Sequence, residues 1–215
     1  MPIPTHLLAQ FSEESYYHVI CKCIEGKKLF YNDDDRFFFL KRYNDFLYGF
    51  VDTYAYTLID NHVHWLIKTK KEADMLLHLN SKETVKLTAT HKNFLAGNCS
   101  FHELLEQQFN RFFISYALML NKGRETSGHL FNRPFKRVEI TDDAHLTQVI
   151  VYIHANIQKH GLLKDFRLFK WSSYKAILSS GATHIVREEV LDWFGGRDKF
   201  IGLHDAWADE YYAAE

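Results

Sequence analysis

Proline and cysteine are scarce in this chain, and long apolar runs are absent. Three Pro and ten Gly in 215 residues argue against collagenous, low-complexity and Pro-rich linker architectures. With 47% hydrophobic and 25% charged residues, the composition is that of a folded domain with a sizeable core. Cys21, Cys23 and Cys99 are odd in number, and the first two stand too close on an apparent strand to pair. No disulfide framework is expected, which suits a reducing compartment. No uncharged run approaches the ~18 residues of a membrane span, and no leader pattern opens the sequence, so the expectation is a cytoplasmic protein with no membrane partner. There is also no G-x-x-x-x-G-K-[ST], no strand-linked G-x-G-x-x-G, no H-E-x-x-H and no C-x-x-C. Nucleotide hydrolysis, dinucleotide redox and zincin chemistry lose support accordingly.

Aromatic residues, by contrast, are plentiful. Eighteen Phe and twelve Tyr predict a ring-rich core, so packing is the default role of any single Tyr. The formal charge of −1 conceals an uneven distribution. Residues 111–137 carry Arg111, Lys122, Arg124, Arg133, Lys136 and Arg137 against the single acid Glu125, whereas residues 188–215 carry eight acids against two bases. The basic stretch is either a solvated face or a phosphate-contacting groove; its interleaved aromatics favour DNA, with Phe131 or Phe135 available to stack on unpaired bases.

Tyr17 to Ile24 reads as a strand ending at Glu25-Gly26. A helix follows, capped by Asn32 or Asp33, with Phe39, Tyr43, Phe46 and Phe50 on one stripe. Asp52 to Leu58 and His62 to Thr69 form a hairpin across Ile59-Asp60-Asn61. Apart from a helical stretch around Met75 to Leu79, residues 70–100 read as an irregular insertion. A long helix spans His102 to Leu120, a short strand or hairpin lies within Gly128 to Ile140, and another helix runs from Asp142 or Asp143 to about His160. Its stripe is Leu146, Val149, Ile150, Ile153 and Ile157. The order strand-helix-strand-strand-helix-strand predicts an α+β fold, an antiparallel sheet with helices packed on one face, of ferredoxin-like or RNA-recognition type. Residues 1–165 would form this domain and residues 166–215 a small helical C-terminal appendage.

His62-Val63-His64 carries the first candidate chemistry. Successive strand side chains alternate, so both imidazoles leave one face, ~6–7 Å apart along the strand, and can converge on one cation. The bland alternative is two hydrogen-bonded histidines on a half-buried strand. In Tyr152-Ile153-His154-Ala155-Asn156, Tyr152 and Asn156 are four apart and share a helical face. Either Tyr152 is an ordinary surface residue, or Asn156 Oδ1 completes a metal site while Tyr152 presents its hydroxyl to whatever the metal polarises. His154 is expected to pack or to meet phosphate rather than shuttle protons.

These motifs together resemble the single-tyrosine HUH transposases of the insertion-sequence 200-like superfamily, most nearly the REP-associated tyrosine transposase subgroup. The resemblance spans most of residues 16–178. It rests on Tyr17-His18-Val19, Asp34-Asp35-Arg36, Asp60-Asn61 before His62-Val63-His64, and Gly128 to Asn132 before Phe135-Lys136-Arg137. Tyr152-Ile153-His154-x-Asn156 with Gly161-Leu162, and Trp171-Ser172-Ser173-Tyr174, complete the series. Ile59-Asp60, Ile157 and His160 depart from the family pattern.

The resemblance implies a metal-dependent DNA transposase, a nuclease and strand transferase acting on single-stranded hairpin DNA, cytoplasmic and associated with the bacterial nucleoid. Tyr152 would attack a backbone phosphate, leaving a 5′-phosphotyrosine and a free 3′-hydroxyl. A phenol, with a pKa of ~10, is a poor nucleophile at neutral pH and needs help from a divalent ion. His62, His64 and Asn156 would hold that ion, Mn²⁺ by ligand type or Mg²⁺ by abundance. Relatives include homodimers that exchange the tyrosine-bearing helix and forms that act as monomers. Two other readings stay open: a catalytically inactive, domesticated DNA-binding protein of the same fold, and an unrelated metal-binding α+β domain.

Overall fold

A computed structural model describes Pro4 and residues 7–213, with side chains as far as residue 207. Four strands, β1 (Tyr16–Lys22), β2 (Val51–Ile59), β3 (His62–Thr69) and β4 (Lys136–Ile140), make an antiparallel sheet in the order β2-β3-β1-β4. Helix α1 (Asp33–Leu47) links β1 to β2; α2 (Glu72–Asn80), α3 (Ala89–Leu95) and α4 (Phe101–Gly123) lie between β3 and β4. The α+β class is as the element order predicts. Residues 70–100 differ from expectation: Thr88 and Ser100 each close a capping box, with His91 and Glu103, and so start α3 and α4 inside a stretch whose polar composition suggests a loop.

Helices cover both faces rather than one. On the first face, α1 and α4 press Phe39, Tyr43, Phe109 and Phe112 against Val19, Cys21, Val63 and Ile67. Trp65 lies at its centre, stacked on Phe39 at 5.7 Å and on Tyr43 at 5.4 Å. Phe131 and Phe135 belong to this same core, 6% and 4% exposed, so neither ring is free to stack on a base.

The second face belongs to α5 (Asp143–Lys159). Asp142 accepts the Ala144 N–H to start it, and a Schellman motif ends it, with Gly161 in the left-handed region at φ 64°. There Leu162 N–H donates to Ile157 O and Gly161 N–H to Gln158 O, at 3.2 and 2.7 Å. The predicted stripe, Leu146 to Ile157, is buried against Tyr54, Ile59 and Leu66.

Residues 166–207 pack as an outer layer on α5. Phe166, Tyr174, Ile177, Val190, Phe194 and Phe200, from the start of this layer through α6 (Tyr174–Leu178), α7 (Arg187–Phe194) and α8 (Arg197–Ala213), share the core of α5. The segments at Trp171–Ser173 and Ile185–Val186 also bond to β2, covering an edge that would otherwise template aggregation. A buried relay ties the layers together. His204 Nδ1–H donates to Phe200 O, His154 Nδ1–H to His204 Nε2 at 2.8 Å, and the Ser173 hydroxyl to His154 Nε2 at 2.7 Å. His154 therefore packs.

Each ring in that relay has one N–H and one acceptor in use, so an added proton would force the relay to reverse toward Ser173 and place a charge in the core. Burial holds the His204 imidazole down at about 4 and pushes His154 well below its usual value. The unfolded chain then takes up protons from pH ~6.5 downward while the fold does not, so stability is full above ~6.5 and is lost as pH falls. Urea unfolding at pH 7 and pH 5 should show this loss, and His204→Phe should reduce its slope by about 1.4 kcal/mol per pH unit, one proton's share. An unchanged slope would place the proton uptake elsewhere.

Candidate metal and phosphate site

Because β3 alternates, Val63, Trp65 and Ile67 enter the aromatic core while His62, His64 and Leu66 face α5. The turn before His62 is held from several sides. Arg36, 8% exposed on α1, pairs with the Asp60 carboxylate and reaches Leu58 O, and Lys28 adds a second contact to Asp60. Asp60 O accepts the Leu29 and Phe30 N–H groups, and Asn61 O accepts that of Cys23.

Asn61 and His62 are adjacent at the point where this turn enters β3. His62 Nδ1 is 2.6 Å from Asn61 Oδ1, and its Nε2 is 2.9 Å from Asn156 Oδ1. Both partners are carbonyl oxygens and only accept. A neutral imidazole has a single N–H and can serve one of them; an imidazolium could serve both, but burial pushes His62 down to about 4. Protonation at Nδ1, on the shorter contact, leaves the Nε2 lone pair facing the amide oxygen. A shared cation turns those two acceptors into two ligands, and 2.9 Å is close to the ~3 Å between neighbouring ligands of an octahedral ion with bonds of ~2.1 Å. Asn156 Nδ2, the other end of the same amide, is buried without a hydrogen-bond partner. The donor set therefore fits a divalent cation.

His64 lies beside this pair, its ring 5.0 Å from that of His62. Burial pushes it well below its usual value, and the nearby His18 and His62 act in the same direction. Both imidazoles are thus neutral near pH 7, the state a metal requires. Among the described residues no group of three His, Cys, Asp or Glu side chains is placed to hold an ion. A bound ion would rest on two imidazoles, the Asn156 amide, and oxygens from substrate and water.

Tyr152 stands one turn before Asn156 on α5, half-buried, its ring edge-on to both His64 and His18 at 5.8 Å. The Lys159 ammonium is 5.7 Å from that ring. His160, just past the helix end, meets the His62 ring at 4.7 Å. Phenol and imidazoles therefore adjoin within one chain. His62, His64, Tyr152 and His160 form one wall of a cleft of about 610 Å³, whose lining also includes Lys22, Arg133 and Lys136.

The six basic residues expected to meet DNA separate cleanly. Arg133 and Lys136 are exposed and line the cleft. Lys122 is exposed at the end of α4. Arg111 lies over Phe46, and Arg124 pairs with Asp35 at 2.8 Å over the Tyr31 ring; all three belong to the α1–α4 side. Arg137 is a correction: it is 4% exposed, donates to Ala9 O and pairs with Glu106 at 3.0 Å, anchoring the N-terminal segment to β4 and α4. Its neighbour Lys136 takes the cleft because β4 alternates.

Sequence reasoning gave no role to Lys22, His18 or His160. Lys22 is the cross-strand partner of His62, and His18 lies opposite Leu66, next but one to His64. Only the β1–β3 register reveals this.

No family model matches the sequence, and no curated protein matches it. A solved structure described as a REP-associated tyrosine transposase bound to a REP hairpin is similar to this chain at a TM-score of 0.48 and 12% identity, over 81% of this chain and 86% of that one. A likeness this loose leaves function to the residues themselves.

The placement of the arginines makes a direct contrast testable. Arg133→Ala and Lys136→Ala should each weaken single-stranded DNA binding and lower the salt slope by about 0.7, with little change in unfolding. Arg137→Ala should instead cost about 1–3 kcal/mol of stability by removing the donor of Ala9 O and the partner of the half-exposed Glu106. Filter binding against salt and urea titration separate the two; a stable Arg137→Ala protein with reduced DNA affinity would reverse the assignment.

Proposed function

We propose that the chain is a divalent-metal-dependent DNA strand transferase that cleaves and rejoins single-stranded hairpin DNA through Tyr152. One observation carries the reading: a phenol and two neutral imidazoles from α5 and β3 of the same chain line a basic cleft, with a buried amide oxygen of α5 beside one of the imidazoles. The motif order described above supports it from the sequence side.

Lys22, Arg133 and Lys136 would draw the backbone into the cleft and orient it. The Tyr152 hydroxyl oxygen attacks phosphorus, so that an O–P bond forms as the P–O3′ bond breaks. The phenolic proton leaves to solvent and the departing 3′ oxygen takes one up. One phosphodiester replaces another, so rejoining is the same exchange in reverse and requires no nucleotide hydrolysis. His62, His64 and Asn156 would hold a Mg²⁺ or Mn²⁺ ion, which supplies charge neutralisation at the phosphate. Asn61 keeps the His62 lone pair turned to it.

Incubation of the protein with labelled single-stranded hairpins and Mn²⁺, followed by denaturing electrophoresis, should give a protein-linked DNA band. Tyr152→Phe should abolish that band and leave hairpin affinity nearly unchanged, since only a hydroxyl is lost. Excess EDTA should abolish it too. A band surviving in the variant moves the nucleophile, one surviving in EDTA removes the metal, and tight binding with no band in the wild type favours the inactive DNA-binding reading.

A further inference from the structure

A third imidazole stands behind the two proposed ligands, and its geometry is as specific as theirs. His18 Nε2 lies 2.9 Å from His64 Nδ1, the ring centroids are 5.1 Å apart with 30° between their planes, and the two residues are 9% and 4% exposed. The contact joins neighbouring strands: His64 pairs with Ile20 and Leu66 with His18, so both histidines leave the same face.

Between two nitrogens at this distance there is one proton. If His18 holds it, His64 accepts at Nδ1 and carries its own proton on Nε2, which then cannot ligate. If His64 holds it, His64 donates to His18 and its Nε2 lone pair is free. The second arrangement alone is compatible with a ligand at Nε2, and it matches His62, where Asn61 accepts from Nδ1. Each imidazole of β3 thus has its own acceptor behind it.

We propose that His18 is a positioning residue: by accepting the Nδ1–H of His64 it holds that imidazole in the tautomer and orientation in which Nε2 can ligate a divalent cation. The inference rests on the cation-binding reading of His62, His64 and Asn156, and adds a residue of β1 to it. His18 itself touches neither phosphate nor ion in this account.

The test uses the whole chain and reads two quantities, neither of which is turnover. Ring ¹⁵N resonances at neutral pH with Mg²⁺, with the His64 signals assigned by their loss in His64→Gln, report the tautomer. Mn²⁺ binding by electron paramagnetic resonance reports affinity. His64 should be protonated at Nδ1 in the wild type and in His18→Gln, whose side-chain carbonyl can take over the acceptor role, with Mn²⁺ affinity in that variant close to wild type. His18→Leu should shift His64 to Nε2–H and weaken Mn²⁺ about 10–100-fold. The wild-type tautomer needs no variant, so the test survives if His18→Leu fails to fold. An Nε2–H His64 in wild type that still binds Mn²⁺ overturns the role of His18 alone, as does a folded His18→Leu with undiminished affinity. No Mn²⁺ binding by the wild type overturns the cation site and the positioning role with it.

Discussion

Pairing of β3 between β2 and β1 does more than complete the sheet, because it decides which side chains reach which layer. In the observed register Val63, Trp65 and Ile67 are buried among the rings of α1 and α4, worth roughly 1.5–3 kcal/mol for each large side chain. A slip of one residue would carry His62 and His64 into that aromatic layer and turn Trp65 toward α5. The apolar face thus enforces the position of the polar one. Precision at the imidazoles is a by-product of packing on the opposite side of the same strand.

Charge is arranged to complement this. The interior face of the cleft holds neutral imidazoles, with His18 and His62 both pushed down to about 4 by burial. Full positive charge is confined to the exposed side chains around them, Arg133 and Lys136 among these, where water can solvate it. On the proposed function, a cation would be held inside and an anionic backbone attracted outside. The Arg36–Asp60 pair works differently again: it is partly buried, fixes the turn before His62 and contributes no free charge to the cleft.

Local pattern made much of this legible. The hairpin bounds, the shared face of His62 and His64, and the stripe of α5 follow from period-two and period-3.6 spacing, which needs no knowledge of distant contacts. Tyr152 and Asn156 could be placed on one helical face for the same reason. What stayed hidden depends on register and tertiary partners. His18 looked like an ordinary strand residue until β1 was paired with β3, and Arg137 looked like part of a basic patch until β4 was given a face. Polar composition concealed α3, whose capping box outweighs its weak apolar patterning. In α8 the helix is written in local pattern, since Phe200, Leu203, His204 and Trp207 recur at helical spacing.

The relay from Phe200 through His204 and His154 to Ser173 has a mechanical consequence for the tyrosine. Helix α5 is gripped by the sheet beneath and by α8 above, so Tyr152 is mounted on a fixed rail rather than a swinging arm. Handing that helix to a second copy would mean peeling away an entire outer shell, with its hydrogen-bonded chain, before the phenol could travel. Such an architecture keeps Tyr152 in fixed register with the imidazoles of its own sheet.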